Sequence, residues 1–228
     1  MALALLYDVH GNLAALEAVL ADAAQRGVSR FLLGGDYALF GPAPAETLRR
    51  LRELDASWIR GNGERWSQTP ADAPDDAVVQ GAIEATRAAL GERAVVELAS
   101  LPAQLARDGT LYCHGSPLSD VRSFLPEPAP DEDELLRDVT EPRLVFGHTH
   151  LPFRRSSANG IELVNPGSVG MPFDGDPRAA YAVLDERGDV EHRRVAYDHA
   201  ASAAQLRERE PGSWAAVVAW RIENARYA

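Results

Sequence analysis

Four short stretches of this chain combine metal-binding side chains with glycine, and each follows an apolar run. They are Asp8-Val9-His10-Gly11-Asn12, Gly34-Gly35-Asp36, Arg60-Gly61-Asn62-Gly63-Glu64, and the pair Cys113-His114-Gly115 and Gly147-His148-Thr149-His150, together holding four of the six histidines. Imidazole and carboxylate suit borderline divalent ions. Glycine lets a chain turn sharply and lets backbone approach a ligand closely. One such stretch would mean little. Several in succession, each at the end of a hydrophobic segment, require a fold that gathers strand ends around one point.

The apolar runs alternate with helical patterns. Leu3 to Tyr7 ends at Asp8, and Leu13, Leu16, Val19 and Leu20 then keep helical spacing behind Asn12, a residue able to cap the helix. Phe31 to Leu33 ends at Asp36, Pro44 to Leu54 reads as a helix, and Trp58-Ile59 is a brief strand before Asn62. This order favours parallel strands with crossover helices, whose carboxyl ends are the usual seat of ligands. Ser67 to Asp76 reads as an exposed loop and Ala77 to Leu98 as largely helical. Leu111 to Cys113 and Leu144 to Phe146 are strands, and Phe124 to Asp133, with three prolines, reads as an exposed connection. Phe153 to Val164, Tyr181 to Leu184 and Val190 to Val195 read as meandering strands with a hairpin turn at Arg187-Gly188-Asp189, and Pro211 opens a terminal helix. Two packed sheets with helices outside are expected, as a single domain over residues 1–228.

Composition removes several function classes. No lysine occurs among the 23 basic residues, which excludes P-loop lysine and Schiff-base chemistry. Cys113 is the one cysteine, so neither an internal disulfide nor a thiolate zinc knuckle can form; a buried strand position suits it better than a nucleophilic one. The formal net charge of −11 repels phosphate backbones and argues against nucleic acid as the main ligand. No apolar run reaches about 18 residues, and the first residues read as a strand rather than a signal peptide, so a cytoplasmic location is expected. Gly167-Ser168-Val169-Gly170 lacks nucleophile-elbow spacing, against a serine hydrolase.

Taken singly, each motif has an ordinary explanation. Asp8 or Asp36 could cap a helix, and Asn62 could be a turn residue between glycines. His192 and His199 lie outside the motifs and read as surface residues. Phe40, Trp66 and Phe173 could shape a substrate pocket but read first as packing. Trp214 and Trp220 read as core or as an interface with a second copy, and Asp131-Glu132-Asp133-Glu134 as a solvated helix start. The ordered set is another matter. Asp8, His10, Asp36, Asn62, His114, His148 and His150 supply oxygen and imidazole donors for two neighbouring ions, with Asp36 a natural bridge because a carboxylate has two oxygens.

That ordered set, Asp8-x-His10, Gly35-Asp36, Gly61-Asn62, His114 and Gly147-His148-x-His150, resembles the calcineurin-like metallophosphoesterases from residue 8 to about 170. Asn165-Pro166-Gly167-Ser168-Val169-Gly170 and His114-Gly115-Ser116-Pro117 look like its small prokaryotic phosphodiesterase branch. The resemblance implies a four-layer α/β/β/α sandwich of two mixed sheets flanked by helices. It assigns one metal to Asp8, His10, Asp36 and His150 and the other to Asp36, Asn62, His114 and His148. The expected cofactors are two divalent ions of the Mn, Fe, Zn or Ni type. The expected reaction is hydrolysis of a small phosphodiester by metal-activated hydroxide, with Asp36, Asn62 and His114 as its catalytic side chains. Asn12, Arg60 and Arg65 are candidate phosphate contacts by nearness to the ligands.

Two departures matter. Many members carry a leaving-group histidine just after the asparagine, where this chain has Gly63, and the loss falls hardest on monoesters. The arginine motif of protein phosphatases is absent after Asp36. A phosphomonoesterase such as a nucleotidase is the second reading. A metal-bound regulatory protein with little turnover is the non-enzyme one.

Overall fold

The computed structural model describes residues 2–227. β1 (Leu3–Leu6) leads into α1 (Leu13–Gln25), β2 (Arg30–Leu33) into α2 (Pro44–Leu51), and β3 (Asp55–Trp58) into α3 (Asn62–Gln68). Then come α4 (Ala77–Leu90), α5 (Glu92–Ala99), β4 (Gln104–Arg107), β5 (Thr110–Cys113), α6 (Glu132–Leu135) and β6 (Arg143–Val145). The hairpins β7 (Phe153–Ser156) with β8 (Glu162–Asn165) and β9 (Ala179–Leu184) with β10 (Val190–Val195) precede α7 (His199–Arg209) and α8 (Ser213–Asn224).

The strands form two mixed five-stranded sheets, ordered β10-β9-β1-β2-β3 and β4-β5-β6-β8-β7. In the first, β1, β2 and β3 run parallel and β9 and β10 are antiparallel additions. In the second, β5, β6 and β8 run parallel between antiparallel edges. The parallel strands of both sheets aim their carboxyl ends at the same region.

Side-chain alternation explains how the layers pack. Ala4 and Leu6 point out toward Leu16 and Val19 of α1. Leu5 and Tyr7 point in, meeting Tyr112, Val145 and Val164 of the second sheet. Each buried leucine or valine contributes about 1.5–3 kcal/mol by leaving water. Tyr7 crosses the whole inter-sheet layer, and its hydroxyl donates to the Val145 carbonyl at 3.2 Å. A third apolar cluster joins Ile83 of α4 to Leu206 of α7 and to Trp214 and Val218 of α8. Among the described residues, no helix is long and apolar enough to cross a membrane.

Several expectations need correction. The helix over 77–98 breaks at Gly91, whose φ of 74° ends α4 and starts α5. The stretch after Phe124 is not all exposed. Phe124 is buried on the outer face of the second sheet with Leu135 and Phe146. Glu132 is no solvated helix start either, because it is buried and paired with Arg155. His192 is half-buried, with its Nε2 2.8 Å from the Asn165 carbonyl. β4 and α7 had no counterpart in the sequence pattern. α7 is rich in alanine and buries little beyond Ser202, Ala203 and Leu206.

Candidate metal centre

Seven side chains named from the sequence converge where the two sheets' strand ends meet. Asp8 and His10 follow β1, Asp36 follows β2, and Asn62 opens α3 after β3. His114 follows β5, and His148 and His150 follow β6. The backbone there leaves extended geometry. Asp8, His10, Asp36, His148 and His150 all have positive φ, between 48° and 67°. Such left-handed residues cost on the order of 1 kcal/mol each and persist only where the surroundings hold them. The two-residue spacing of Asp8 and His10, and of His148 and His150, therefore works through tight turns rather than through strand alternation.

Backbone bonds knit these turns together. Asp8 N–H donates to Gly35 O, His10 N–H to Asp36 O and Gly11 N–H to Tyr37 O at 2.8–3.2 Å. His148 N–H donates to Asp8 Oδ2 at 3.1 Å, and Gly147 N–H to His114 O at 2.7 Å. Gly147 leaves room for this junction, since a Cβ there would lie 2.5 Å from Asp8 Oδ2 and 2.6 Å from the Tyr7 ring.

Three imidazoles have fixed tautomers. Nδ1 of His10 donates to Leu39 O, that of His150 to Met171 O and that of His114 to Gly34 O. In the neutral ring each Nε2 then carries a lone pair, and those of His10 and His150 face one another. Nε2 of His10 lies 3.0 Å from Nε2 of His150. Nε2 of His114 lies 3.0 Å and Nδ1 of His148 2.9 Å from Oδ1 of Asn62. Turned over, the Asn62 amide would donate to both rings instead, a hydrogen-bonded alternative for the metal-free chain. Asp8 Oδ1 is buried and accepts no hydrogen bond.

Buried acceptors pressed together, like His10 Nε2, His150 Nε2 and Asp8 Oδ1, are unfavourable unless a cation or a proton joins them. Two donors bound to one ion at about 2.0–2.2 Å are themselves about 3.0–4.2 Å apart. The separations fall in that range. Asp8 Oδ1 is 3.5 Å from Nε2 of His150, 4.0 Å from that of His10 and 3.8 Å from that of His114. Asp36 presents Oδ2 to His10 at 4.0 Å and Oδ1 to His114 at 3.5 Å. Asp8, His10 and His150 form one candidate cation cluster; Asp8, Asp36 and His114 form a second. Both carboxylates thus touch both sides, Asp8 through one oxygen and Asp36 through two.

The electrostatics divide the donors: His10, His148 and Asp8 are held free of protons, whereas Asp36 and His114 hold theirs more tightly than usual in the metal-free chain. Burial and the neighbouring His150 lower the pKa of His10 to about 3, and burial and His114 lower that of His148 to about 4, so both rings are neutral at ordinary pH. Burial pushes Asp8 upward, but the imidazoles of His150, His114 and His10 outweigh it and hold the carboxyl below the usual range. Burial raises Asp36 to about 7 against the pull of His114, with Glu64 and Asp8 adding to the rise. For His114, burial pulls down while Asp36 and Asp8 push up, and the net is upward.

Glu64 had no role in the sequence reading. It is buried, and its carboxylate accepts from the N–H groups of Asp36, Tyr37 and Gly61 at 2.7–2.9 Å. The available signal was a glutamate three residues after Gly61, the spacing of a capping box. Asn165 and Ser168 are supports too. Asn165 Nδ2 donates to Gly147 O and Thr149 Oγ1, and Ser168 Oγ donates to Asp8 O.

The candidate phosphate contacts fare differently. Asn12 is fully buried and its amide is engaged throughout. Oδ1 accepts from Ala15 N–H and Ser202 Oγ, while Nδ2 donates to Gly170 O and Tyr197 Oη. It is a structural cap, not a substrate contact. Arg65 lines the pocket above the seven residues, gripped by both oxygens of Asp120 at 2.6 and 2.7 Å. Arg60 lies in an adjoining cleft of about 310 Å³ that reaches His114. The main pocket measures about 950 Å³, with His10, Asp36, Asn62, His148 and His150 in its floor. Phe40, Trp66 and Phe173, read first as packing, also line it.

Residues 1–189 match the model of the calcineurin-like phosphoesterase superfamily domain. The chain belongs to that superfamily. Phosphodiesterase YfcE of Escherichia coli K12 is 31% identical over 193 residues, covering 78% of this chain and 84% of YfcE. A metallophosphoesterase from Sphaerobacter thermophilus superposes with a TM-score of 0.84 at 28% identity, over 99% of both chains. Protein PH1004 from Pyrococcus horikoshii OT3 has the same fold, with a TM-score of 0.85 at 19% identity over 100% of this chain and 99% of its own. The superfamily uses divalent metals, and the donor set described above is of the kind that holds them.

Proposed function

We propose that the chain is a phosphodiesterase that works with two divalent ions. Asp8, His10, Asp36 and His150 would hold one ion and Asp36, Asn62, His114 and His148 the other. Bound there, such ions lower the pKa of water and neutralise charge on phosphate oxygens. The observation that carries this reading is the convergence of Asp8, His10 and His150, and of Asp8, Asp36 and His114, within the spacing of donors that share an ion, beside the floor of an open pocket.

The chain's own part is orientation. Carbonyls of Leu39, Gly34 and Met171 fix three imidazoles, and Glu64 ties the Asp36 loop to the start of α3. Arg65, in the pocket wall, would steady a non-bridging phosphate oxygen, and Arg60 in the adjoining cleft would attract the anion. The preference for diesters rests on Gly63 and on the pocket. A Cβ at Gly63 would lie 2.9 Å from Asp36 Oδ1, so no acid can be carried there without displacing that carboxylate. A monoester with a poor leaving group needs such an acid more than a diester with a good one. Kinship with Phosphodiesterase YfcE points the same way. We further infer a cytoplasmic enzyme whose 228 residues act as one catalytic unit.

Elemental analysis of the purified protein, with hydrolysis of bis-aryl and mono-aryl phosphates measured with added Mn and with chelator, tests this. About two equivalents of metal and chelator-sensitive diester turnover are expected. Metal with monoester turnover alone would favour the nucleotidase reading, and metal without turnover a regulatory one.

A further inference from the structure

The pocket is far larger than a phosphate needs, and one part of its wall comes from a stretch of chain that the family model does not reach. Residues 1–189 carry the family match, whereas Arg221 lies on α8 and Tyr227 just beyond it. Both line the pocket. A ladder of flat groups links them to the floor. Phe173 stacks on His150 with centroids 4.4 Å apart and planes 16° apart. Tyr227 meets Phe173 edge-on at 5.5 Å and 79°. The Arg221 guanidinium lies 4.3 Å from the Tyr227 ring centroid.

The exposures in this ladder are unusual. Arg221 is only 7% exposed, a charged side chain packed beneath the pocket wall, while Tyr227 is 73% exposed. An exposed aromatic ring ordinarily gains little by staying in place. Here the guanidinium lies over the ring and Phe173 meets it at a steep angle, while the ring's exposure leaves flat surface open beside the floor. Pockets of about 300–1,000 Å³ hold ligands of drug or nucleotide size, and the 950 Å³ measured here is at the upper end.

We propose that α8 and the residues after it form a recognition wall for a flat aromatic ester group, aryl or nucleobase, of a phosphodiester whose phosphate rests on the floor. This rests on the phosphodiesterase reading above and names the substrate class for the same pocket. Aromatic rings stack on a planar partner whatever its hydrogen-bonding pattern, so the wall selects flatness rather than one base. A single anionic charge suits the apolar surroundings better than a polyphosphate does.

Binding of probe anions to the metal-loaded protein, read by tryptophan fluorescence in stopped flow before turnover, tests this. Diphenyl phosphate and dibutyl phosphate carry the same charge on similar bulk, but only the first is flat. Inorganic phosphate reports on the floor alone. Diphenyl phosphate is expected to bind roughly fivefold or more tightly than dibutyl phosphate. Tyr227→Ala and Tyr227→Leu should each remove most of that preference while phosphate affinity stays within about twofold. Arg221→Lys, which keeps charge but loses the planar group under the ring, should weaken the preference as well. Equal binding of the two diesters, or a preference that survives loss of the Tyr227 ring, overturns the proposal. These readouts need no turnover. Preference without hydrolysis would count against the phosphodiesterase reading alone, and hydrolysis without preference against this wall alone.

Discussion

One oxygen of Glu64 joins the two chain segments that flank the Asp36 carboxylate. Oε2 accepts from Asp36 N–H at 2.9 Å and from Gly61 N–H at 2.7 Å, while Gly63 N–H reaches across to Asp36 Oδ1 at 2.7 Å. The β2 and β3 loops are thereby held as one unit. Supporting groups of this kind typically set metal affinity by about 10–100-fold. Glu64→Gln, which loses the charge and half of the acceptor capacity, is expected to lower metal affinity by about that factor and leave circular dichroism unchanged. Titration with Mn under chelator buffering measures it. Wild-type affinity in the variant would reduce Glu64 to a helix cap.

Restoring a histidine at position 63 is an obvious route to monoesterase activity, and the geometry opposes it. The Cα–Cβ direction at Gly63 runs into Asp36 Oδ1, at 2.9 Å, and Leu39 Cβ, at 3.3 Å. Gly63→His should lower metal content and melting temperature without raising monoester turnover. Gly63→Ala should show a milder form of the same defect. A folded, metal-loaded Gly63→His protein with enhanced monoesterase rates would refute the steric argument and revive the missing-acid one.

Asp36 presents its two oxygens to two different imidazoles, so its loss cannot be confined to one side of the centre. Asp36→Asn keeps the shape but removes charge and one oxygen donor. Metal content is expected to fall well below wild type, and diester hydrolysis by more than about 100-fold. His148→Ala, by contrast, removes a ligand from the Asn62 side only. It should leave roughly one equivalent of metal behind, readable by elemental analysis.

The seven converging residues were legible because metal coordination tolerates few side chains and the apolar runs mark the strand ends that carry them. Their conformation was not. Positive φ at Asp8, His10, Asp36, His148 and His150 depends on hydrogen bonds to Gly35, Asp36 and other distant backbone, which local pattern does not encode. Asn12 misled for a related reason. It is two residues from His10 in sequence, yet its amide turns to Gly170, Tyr197 and Ser202. The two sheets could be expected from alternating strands and helices. The wall made by Arg221 and Tyr227 could not, because it exists only once α8 packs on α7 and α4 and brings both residues to a pocket built more than seventy residues earlier, at His148 and His150.

The metal-free protein should also show its clustered carboxylates in its pH profile. Asp36, raised to about 7 by burial, Glu64 and Asp8, has an unfolded value of about 3.9. Between those values Asp36 binds its proton in the folded chain and not in the unfolded one, so its own term falls as pH rises through this window, while His10 and His148, lowered to about 3 and 4, contribute stability that rises up to about 6.5. His114, also shifted upward, acts in the same direction above its ordinary value. Asp8 is shifted downward, so its contribution is present above about 4 and changes little across this range. Because the His10 and His148 terms oppose it, the Asp36 term is read as a difference: chelator-treated wild type is expected to lose melting temperature relative to Asp36→Asn between pH 5.5 and 8. Added Mn should reverse the trend, because a cation replaces the proton on Asp36 and its apparent affinity climbs with pH up to about 7. Thermal unfolding at four pH values, with chelator and with metal, provides the measurement. A difference between wild type and Asp36→Asn that stays flat or rises from pH 5.5 to 8 would show that Asp36 is ionised there without a cation.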